Sequence, residues 1–375
     1  MDSRKRGVVR RLMIPLFKVH VPEGVEETVS EVWKSGFITE GEYSDRFEHA
    51  FGNFVKNPNT SLVNSCTSAL SLSSKLCDVQ PGDEVITTPM TCMATNAPFY
   101  NDGAKLVWSD IDPTTGNIDP ISVEKLITPR TKAIVGVHWA GQPFNIGAIN
   151  DIASKNGIKV VEDAAHALGA TYDGRPIGTH SDHVCFSFQA IKHITTADGG
   201  AICSRSELDD KRIKSLRWFG LNRKYTGSKW EQDITEAGFK YHMNNTNAAI
   251  GLLQMSSVAS IIQAHKSNYH FYNEAINNPR VQKMRVDSRS ESSCWIYTLL
   301  VEDRVEFQEY LLENGIASDP VHMRNDKYSV FKNFVRPAHE LPGVEYFCSR
   351  HINIPVGWWL SKDERKHIVD VVNRY

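Results

Sequence analysis

The sequence predicts an α/β fold: a large domain built on a mostly parallel β-sheet, followed by a smaller α+β C-terminal domain. Three observations predict it. Between about Thr60 and Ser204, short runs rich in Val and Ile alternate with amphipathic, helix-like stretches, the pattern of βα units around a buried parallel sheet. The 375 residues are too many for one simple core and suit one large domain and one smaller one, here divided as residues 1–250 and 251–375. The residues able to carry chemistry fall just after the apolar runs, where ligands bind in open α/β sheets.

The elements follow in order. Ser61–Val63, Glu84–Thr87, Lys105–Trp108, Lys132–Val137, Ile158–Val161 and His183–Phe188 read as strands, with helical segments such as Ile121–Ile127 and Ile146–Lys155 between them. Gly220–Gly238 is polar and strand-poor and reads as a long ordered loop. Asn247–Gln263 reads as one long connecting helix. A strand at Trp295–Leu300, a helix at Val305–Glu313 and a last helix at Lys362–Asn373 make up the smaller domain.

Composition narrows the function. With 41% hydrophobic and 23% charged residues and a net charge of -2, the chain has no long-range electrostatic reason to bind nucleic acid or acidic membranes. The basic run Arg4, Lys5, Arg6, Arg10 and Arg11 has no apolar stretch behind it, so it reads as a solvated start rather than a signal peptide. Nothing approaches the roughly 18 apolar residues of a membrane span. The seven cysteines are scattered, with no CxxC pair and no Cys/His ligand spacing. Neither a metal site nor a disulfide framework is expected, and the reading is a reduced cytoplasmic protein.

Three segments carry chemistry. Val160-Val161-Glu162-Asp163-Ala164-Ala165-His166 puts a carboxylate at the end of an apolar run; alone, Asp163 could be no more than a helix cap. Phe186-Ser187-Phe188-Gln189-Ala190-Ile191-Lys192 places a lysine just past the next run, in an apolar, hydroxyl-rich loop that ends at Gly199-Gly200. A lone loop lysine usually faces solvent. As a pair they read differently. A lysine that forms a Schiff base needs a poorly solvated site so that its amine is often neutral, and a pyridine-type cofactor needs a carboxylate to hold its ring nitrogen protonated. Adjacent strand ends can offer both to one ligand. The third segment, Asn64-Ser65-Cys66-Thr67-Ser68, is a hydroxyl-rich turn opening a helix. It is either a plain Ser/Thr cap or an anion site.

In this order and spacing the segments resemble the DegT/DnrJ/EryC1/StrS family of sugar aminotransferases. The resemblance also covers Ser35–Gly41, Gly82–Ile86, Thr131–Ile134 and Val137–Pro143, and runs from about Pro22 to the C-terminus. It implies the aspartate-aminotransferase fold (type I), with a seven-stranded sheet between helices, and pyridoxal 5'-phosphate (PLP) as cofactor. By position, Lys192 would carry the cofactor, Asp163 would pair with its pyridine nitrogen, and His166 would lie near its phenolic oxygen. Cys66, Thr67, Ser68 and Ser187 would cradle the phosphate. Gly238–Asn244, with Lys240, would complete the partner subunit's site in a homodimer. Two departures stand out. Cys92 occupies the position of the aromatic residue that stacks on the cofactor ring, and Lys240 replaces the usual Asn; their bland readings are a small buried filler and an exposed lysine.

The expected reaction moves the amino group of L-glutamate to a keto-sugar nucleotide, an NDP-4-keto-6-deoxyhexose in the commonest case, for surface-glycan biosynthesis. A non-nucleotide ketose or cyclitol is the alternative acceptor. Sugar 3-dehydratases of this type have His where Lys192 stands, and a catalytically silent regulator would not need Lys192 and Asp163. The loops Gly36–Ser44, Asn222–Glu236 and His322–Lys327 are expected to choose the substrate.

Overall fold

The computed structural model describes residues 13–223, 225–228, 230–331 and 340–375; the basic run Arg4–Arg11 lies outside them. Seven strands form the central sheet, in the order Thr60–Val63, Gly200–Ser204, His183–Ser187, Lys159–Asp163, Thr131–Val137, Glu84–Thr87 and Lys105–Trp108. All run the same way except Gly200–Ser204, which pairs antiparallel with both of its neighbours. Both faces of the sheet are covered, and alternate residues of each strand enter different cores. Leu62, Ile86, Val107, Ile134 and Val160 join one cluster with the aromatic rings of Phe47, Phe51 and Phe188. Val63, Val85, Leu106, Val135 and Val161 join another with Leu70 and Phe331. Burial on both faces is why these strands read as unbroken apolar runs rather than alternating ones.

The strands at Glu84–Thr87 and Lys105–Trp108 have the bounds read from the sequence, and the others differ by one or two residues. Gly220–Gly238 contains no strand among its described residues. The single helix expected over Asn247–Gln263 is corrected to two, Asn245–Gln254 and Val258–Ala275, with a break at Met255–Ser257. The backbone NH of Ser257 turns to the Gln254 carbonyl, 3.0 Å away, in the tighter three-residue pattern.

A second sheet, Val281–Lys283, Tyr297–Val301 and His351–Ile354, is antiparallel throughout. It packs under the helices Val258–Ala275, Arg304–Glu313 and Lys362–Arg374 around a core that includes Tyr272, Leu299, Phe307 and Ile368. The last helix opens on a reciprocal cap, Ser361 to the Glu364 NH and Glu364 back to the Ser361 NH. The strand expected from Trp295 begins at Tyr297, which leaves Trp295 in the connection that leads back to the main sheet. No described helix is long and apolar enough to cross a membrane.

Candidate active site

Asp163 ends its strand between Val137 and Cys185 of the two neighbouring parallel strands, and it is 3% exposed. Its Oδ1 accepts from the Ala165 NH at 3.0 Å, so the bond of the capping reading does exist. Its Oδ2 accepts from the Thr95 hydroxyl at 2.6 Å, and Thr95 in turn meets the Thr91 hydroxyl at 2.7 Å. Thr91 and Thr95 stand one turn apart where the helix Met93–Asn101 begins, so both hydroxyls face the sheet. The Cys66 thiol lies 3.9 Å from Oδ1. A hydroxyl and an NH aimed at a carboxylate form charge-assisted bonds, which hold the group in one orientation.

Lys192 lies five residues beyond Ser187, the end of the adjacent strand. Its loop is closed by backbone bonds from Lys192 NH to the Gln189 carbonyl (2.9 Å) and from Thr196 NH to the Phe188 carbonyl (2.9 Å). Burial pushes the amine down to about 8, against the pull of Asp163, Cys66 and Cys92, which favour the charged form. Nζ sits 4.0 Å from the centre of the Trp295 ring. An amine tuned this way is neutral often enough near neutral pH to attack a carbonyl carbon.

Next to Lys192 the helix Cys66–Leu76 presents its N-terminus. The cap is Ser65, whose Oγ accepts from the Ser68 NH at 3.1 Å. The Ser68 hydroxyl donates to Asn64 Oδ1 at 2.6 Å, and Thr67 is exposed. Across from this turn, a Cβ added at Gly200 would come within 2.6 Å of the Cys66 backbone nitrogen. The antiparallel strand can approach the helix end only because position 200 has no side chain. Ser187, paired with Gly200 in the register, is buried at the same end.

His166 is 3% exposed, and its Nδ1 has no hydrogen-bond partner among the described residues. Burial holds its ring well below the usual histidine range, and the Lys192 charge acts in the same direction, so it is neutral. It stacks on Trp295 at 3.8 Å and lies parallel to His322 at 5.5 Å. Cys92 is partly exposed at the N-cap of Met93–Asn101, on the Lys192 side of that helix. Lys240 is the outlying member. It is exposed, 5.7 Å from the Trp218 ring, and its carbonyl accepts a long 3.4 Å bond from Asn64. It lines an open cavity of about 500 Å³ together with Trp33, Ile38, Asn64, His242 and Asn247. The structure therefore brings Lys192, Asp163, Cys66, Cys92 and His166 together and sets Lys240 at the rim.

Sequence reading missed Thr95, Trp295 and the clamp around Asn325. Asn325 is fully buried. Its NH donates to the Pro89 carbonyl at 2.8 Å and its Nδ2 to the Thr91 carbonyl at 2.7 Å, while its Oδ1 accepts from Asn96 at 2.9 Å. For Thr95 there was a signal, two threonines four residues apart after a strand. Asn325 lies in the loop 322–327 expected to choose the substrate, but nothing local singled it out as a clamp, and nothing local pointed to Trp295.

The profile of the DegT/DnrJ/EryC1/StrS aminotransferase family matches residues 21–373. The chain belongs to this family. It is 35% identical to AtS13 of Actinomadura melliaura, with a TM-score of 0.93 over 97% of this chain and 99% of that one. It is 34% identical to the sugar aminotransferase CalS13 of Micromonospora echinospora, with a TM-score of 0.92 over 96% and 100% of the two chains. Among curated proteins, the spore coat polysaccharide biosynthesis protein SpsC of Bacillus subtilis is 32% identical over 93% of each chain. This aminotransferase is thus an enzyme of the type I fold, and PLP is its cofactor. The residues present fit that group. The unpartnered Nδ1 of buried His166 awaits a hydrogen-bond donor or acceptor, the absence of a side chain at Gly200 leaves the helix N-terminus open to an anion, and Asp163 ends a strand while Lys192 sits in the loop that follows its parallel neighbour.

Proposed function

We propose that this aminotransferase takes the amino group of L-glutamate and delivers it to a keto-sugar carried on a nucleotide, giving an aminosugar nucleotide for surface glycans. The observation that carries the chemistry is the buried pair itself: a lysine with its amine brought down to about 8, one strand away from a carboxylate fixed by Thr95. The nucleotide-sugar acceptor is supported by the likeness to a sugar aminotransferase and to a polysaccharide biosynthesis protein.

When bound, PLP supplies an electron sink that stabilises negative charge at the carbon losing its proton. Lys192 would hold the cofactor and, as a neutral amine, would take up and return that proton. Asp163, oriented by Thr95 and the Ala165 NH, would keep the pyridine nitrogen protonated. His166, neutral, would serve the phenolic oxygen. The first turn after Ser65, with Cys66, Thr67, Ser68 and Ser187, would hold the phosphate, and Cys92 would stand on the ring side of the site. Lys240 serves the partner subunit's site in a homodimer, a reading supported by the exposed Trp33, Phe37 and Ile38 on the same side. All seven cysteines are free, which suits work in the cytoplasm.

The test is a two-stage reaction. Glutamate alone should convert the yellow enzyme to its amino form and release 2-oxoglutarate, and a keto-sugar nucleotide should restore the colour. Restoration by the free keto-sugar at equal rate would refute the nucleotide requirement. No colour loss with glutamate would refute the donor.

A further inference from the structure

The segment Ser293-Cys294-Trp295 is held more tightly than a connection between two sheets requires. Ser293 NH donates to the Gly141 carbonyl and Trp295 NH to the Ala140 carbonyl, both at 3.1 Å. The Ser293 hydroxyl donates to the His166 carbonyl at 2.5 Å. His193 Nε2 and His265 Nδ1 donate to the carbonyls of Ser293 and Cys294, each at 3.0 Å. The backbone at Cys294 is left-handed, with φ 57°, a conformation unfavourable for a side chain other than glycine. The indole Nε1 then donates to the Ile191 carbonyl at 2.9 Å, one residue before the lysine. The His166 turn, the Lys192 loop and the 140–141 turn are all bonded to this one stretch.

What the clamp delivers is a ring. Trp295 is 2% exposed, stacks with His166 at 3.8 Å and with Phe17 at 5.0 Å, and carries the Lys192 Nζ over its ring at 4.0 Å. The titratable groups around that amine are Asp163, Cys66 and Cys92, with His166, His193 and His322 beside it. All three histidines are held neutral, so none repels the ammonium, and the carboxylate of Asp163 is already engaged by Thr95 and Ala165. The aromatic face of Trp295, 4.0 Å from Nζ, can stabilise an ammonium without giving up or accepting a proton.

We propose that the indole face of Trp295 is the seat that holds the Lys192 amine whenever the lysine is not joined to the cofactor. Trp295 is then a positioning residue: it keeps the released amine, charged after it has taken up a proton, within reach of the carbon it must serve. The inference rests on Lys192 as the cofactor-bearing lysine.

The test keeps the shape of the ring and changes its charge distribution. Tryptophan carrying one, two or four ring fluorines is placed at position 295 alone, which progressively empties the negative face. The readout is the pH dependence of cofactor capture by enzyme stripped of PLP, followed by the yellow imine absorbance. Only the neutral amine captures PLP, so weakening the seat should speed capture below the amine's pKa, by about tenfold at pH 6.5 for the tetrafluoro ring. Capture indifferent to fluorination would overturn the seat while leaving Lys192 in its role. No imine at all, or borohydride trapping PLP on another lysine, would overturn both.

Discussion

Replacing Lys192 by Met removes its charge and keeps its length, and the structure predicts that the cofactor-free protein becomes more stable. Burial lowers the amine from 10.5 to about 8. At about 1.36 kcal/mol per pKa unit, keeping it charged below pH 8 costs roughly 3 kcal/mol. The Trp295 face returns about 1–2 kcal/mol, so the net cost is about 1–2 kcal/mol. The sign of the pH dependence follows. Between pH 8 and 10.5 the unfolded chain holds a proton that the folded one has released, so raising the pH stabilises the wild type. Lys192→Met should therefore be the more stable protein at pH 7 by that amount, with the advantage fading as the pH rises from 8 toward 10.5. Urea unfolding followed by tryptophan fluorescence, on both proteins without PLP, measures the gap at each pH. A gap that stays constant from pH 7 to 10.5, or a Met variant less stable at pH 7, would refute the reasoning.

Three further outcomes are expected. Thr95→Val deletes the 2.6 Å bond to Asp163 and should cost about 1.5–3 kcal/mol, the worth of a hydrogen bond to a charged group. Thr95→Ser keeps the hydroxyl and should lose about half as much; equal losses in urea unfolding would mean the hydroxyl is idle. Glu162 forms a fully buried pair with His138 at 2.9 Å. Burial raises its carboxyl, but the hydrogen bond and charge of His138 outweigh this and leave it below 4.5. Its contribution is therefore complete above pH 4.5 and lost as the pH falls below that, so Glu162→Gln should flatten the decline of the melting temperature between pH 4.5 and 3. Parallel declines in the two proteins would assign the acid sensitivity elsewhere. For Lys240, refolding equal amounts of Lys192→Ala and Lys240→Ala chains, each impaired alone, should restore roughly a quarter of wild-type activity, since half the random dimers then hold one intact site. Mixed dimers that show no recovery would remove Lys240 from the partner's site.

The strands of the main sheet were legible because each is buried on both faces and bounded by turns; Glu84–Thr87 is four residues with no exposed position. Gly200–Ser204 was not, since its glycine and its place after a loop disguise a short antiparallel strand. The break at Met255–Ser257 carries no Gly or Pro, and local propensity runs straight through it. In the site, Lys192 and Asp163 could be read because each follows an apolar run within a few residues. Thr95 lies 68 residues from Asp163, and Trp295 lies 104 from the Ile191 carbonyl it bonds. Contacts of that range leave no periodicity in the chain, and only the closing of the sheet reveals them.

The Asn325 clamp bears on how this enzyme could be retargeted. Exchanging the 322–327 loop for a relative's looks like a local graft on the substrate side. Yet Asn325 shares its bonds with Pro89, Thr91 and Asn96, and Thr91 and Asn96 flank the threonine that orients Asp163. A donor loop without an asparagine at the matching position would strand buried amide and carbonyl groups beside the threonine that holds the Asp163 carboxylate. Chimeras should therefore transplant residues 89–96 and 322–327 as a single cassette, so that new specificity arrives with its own support.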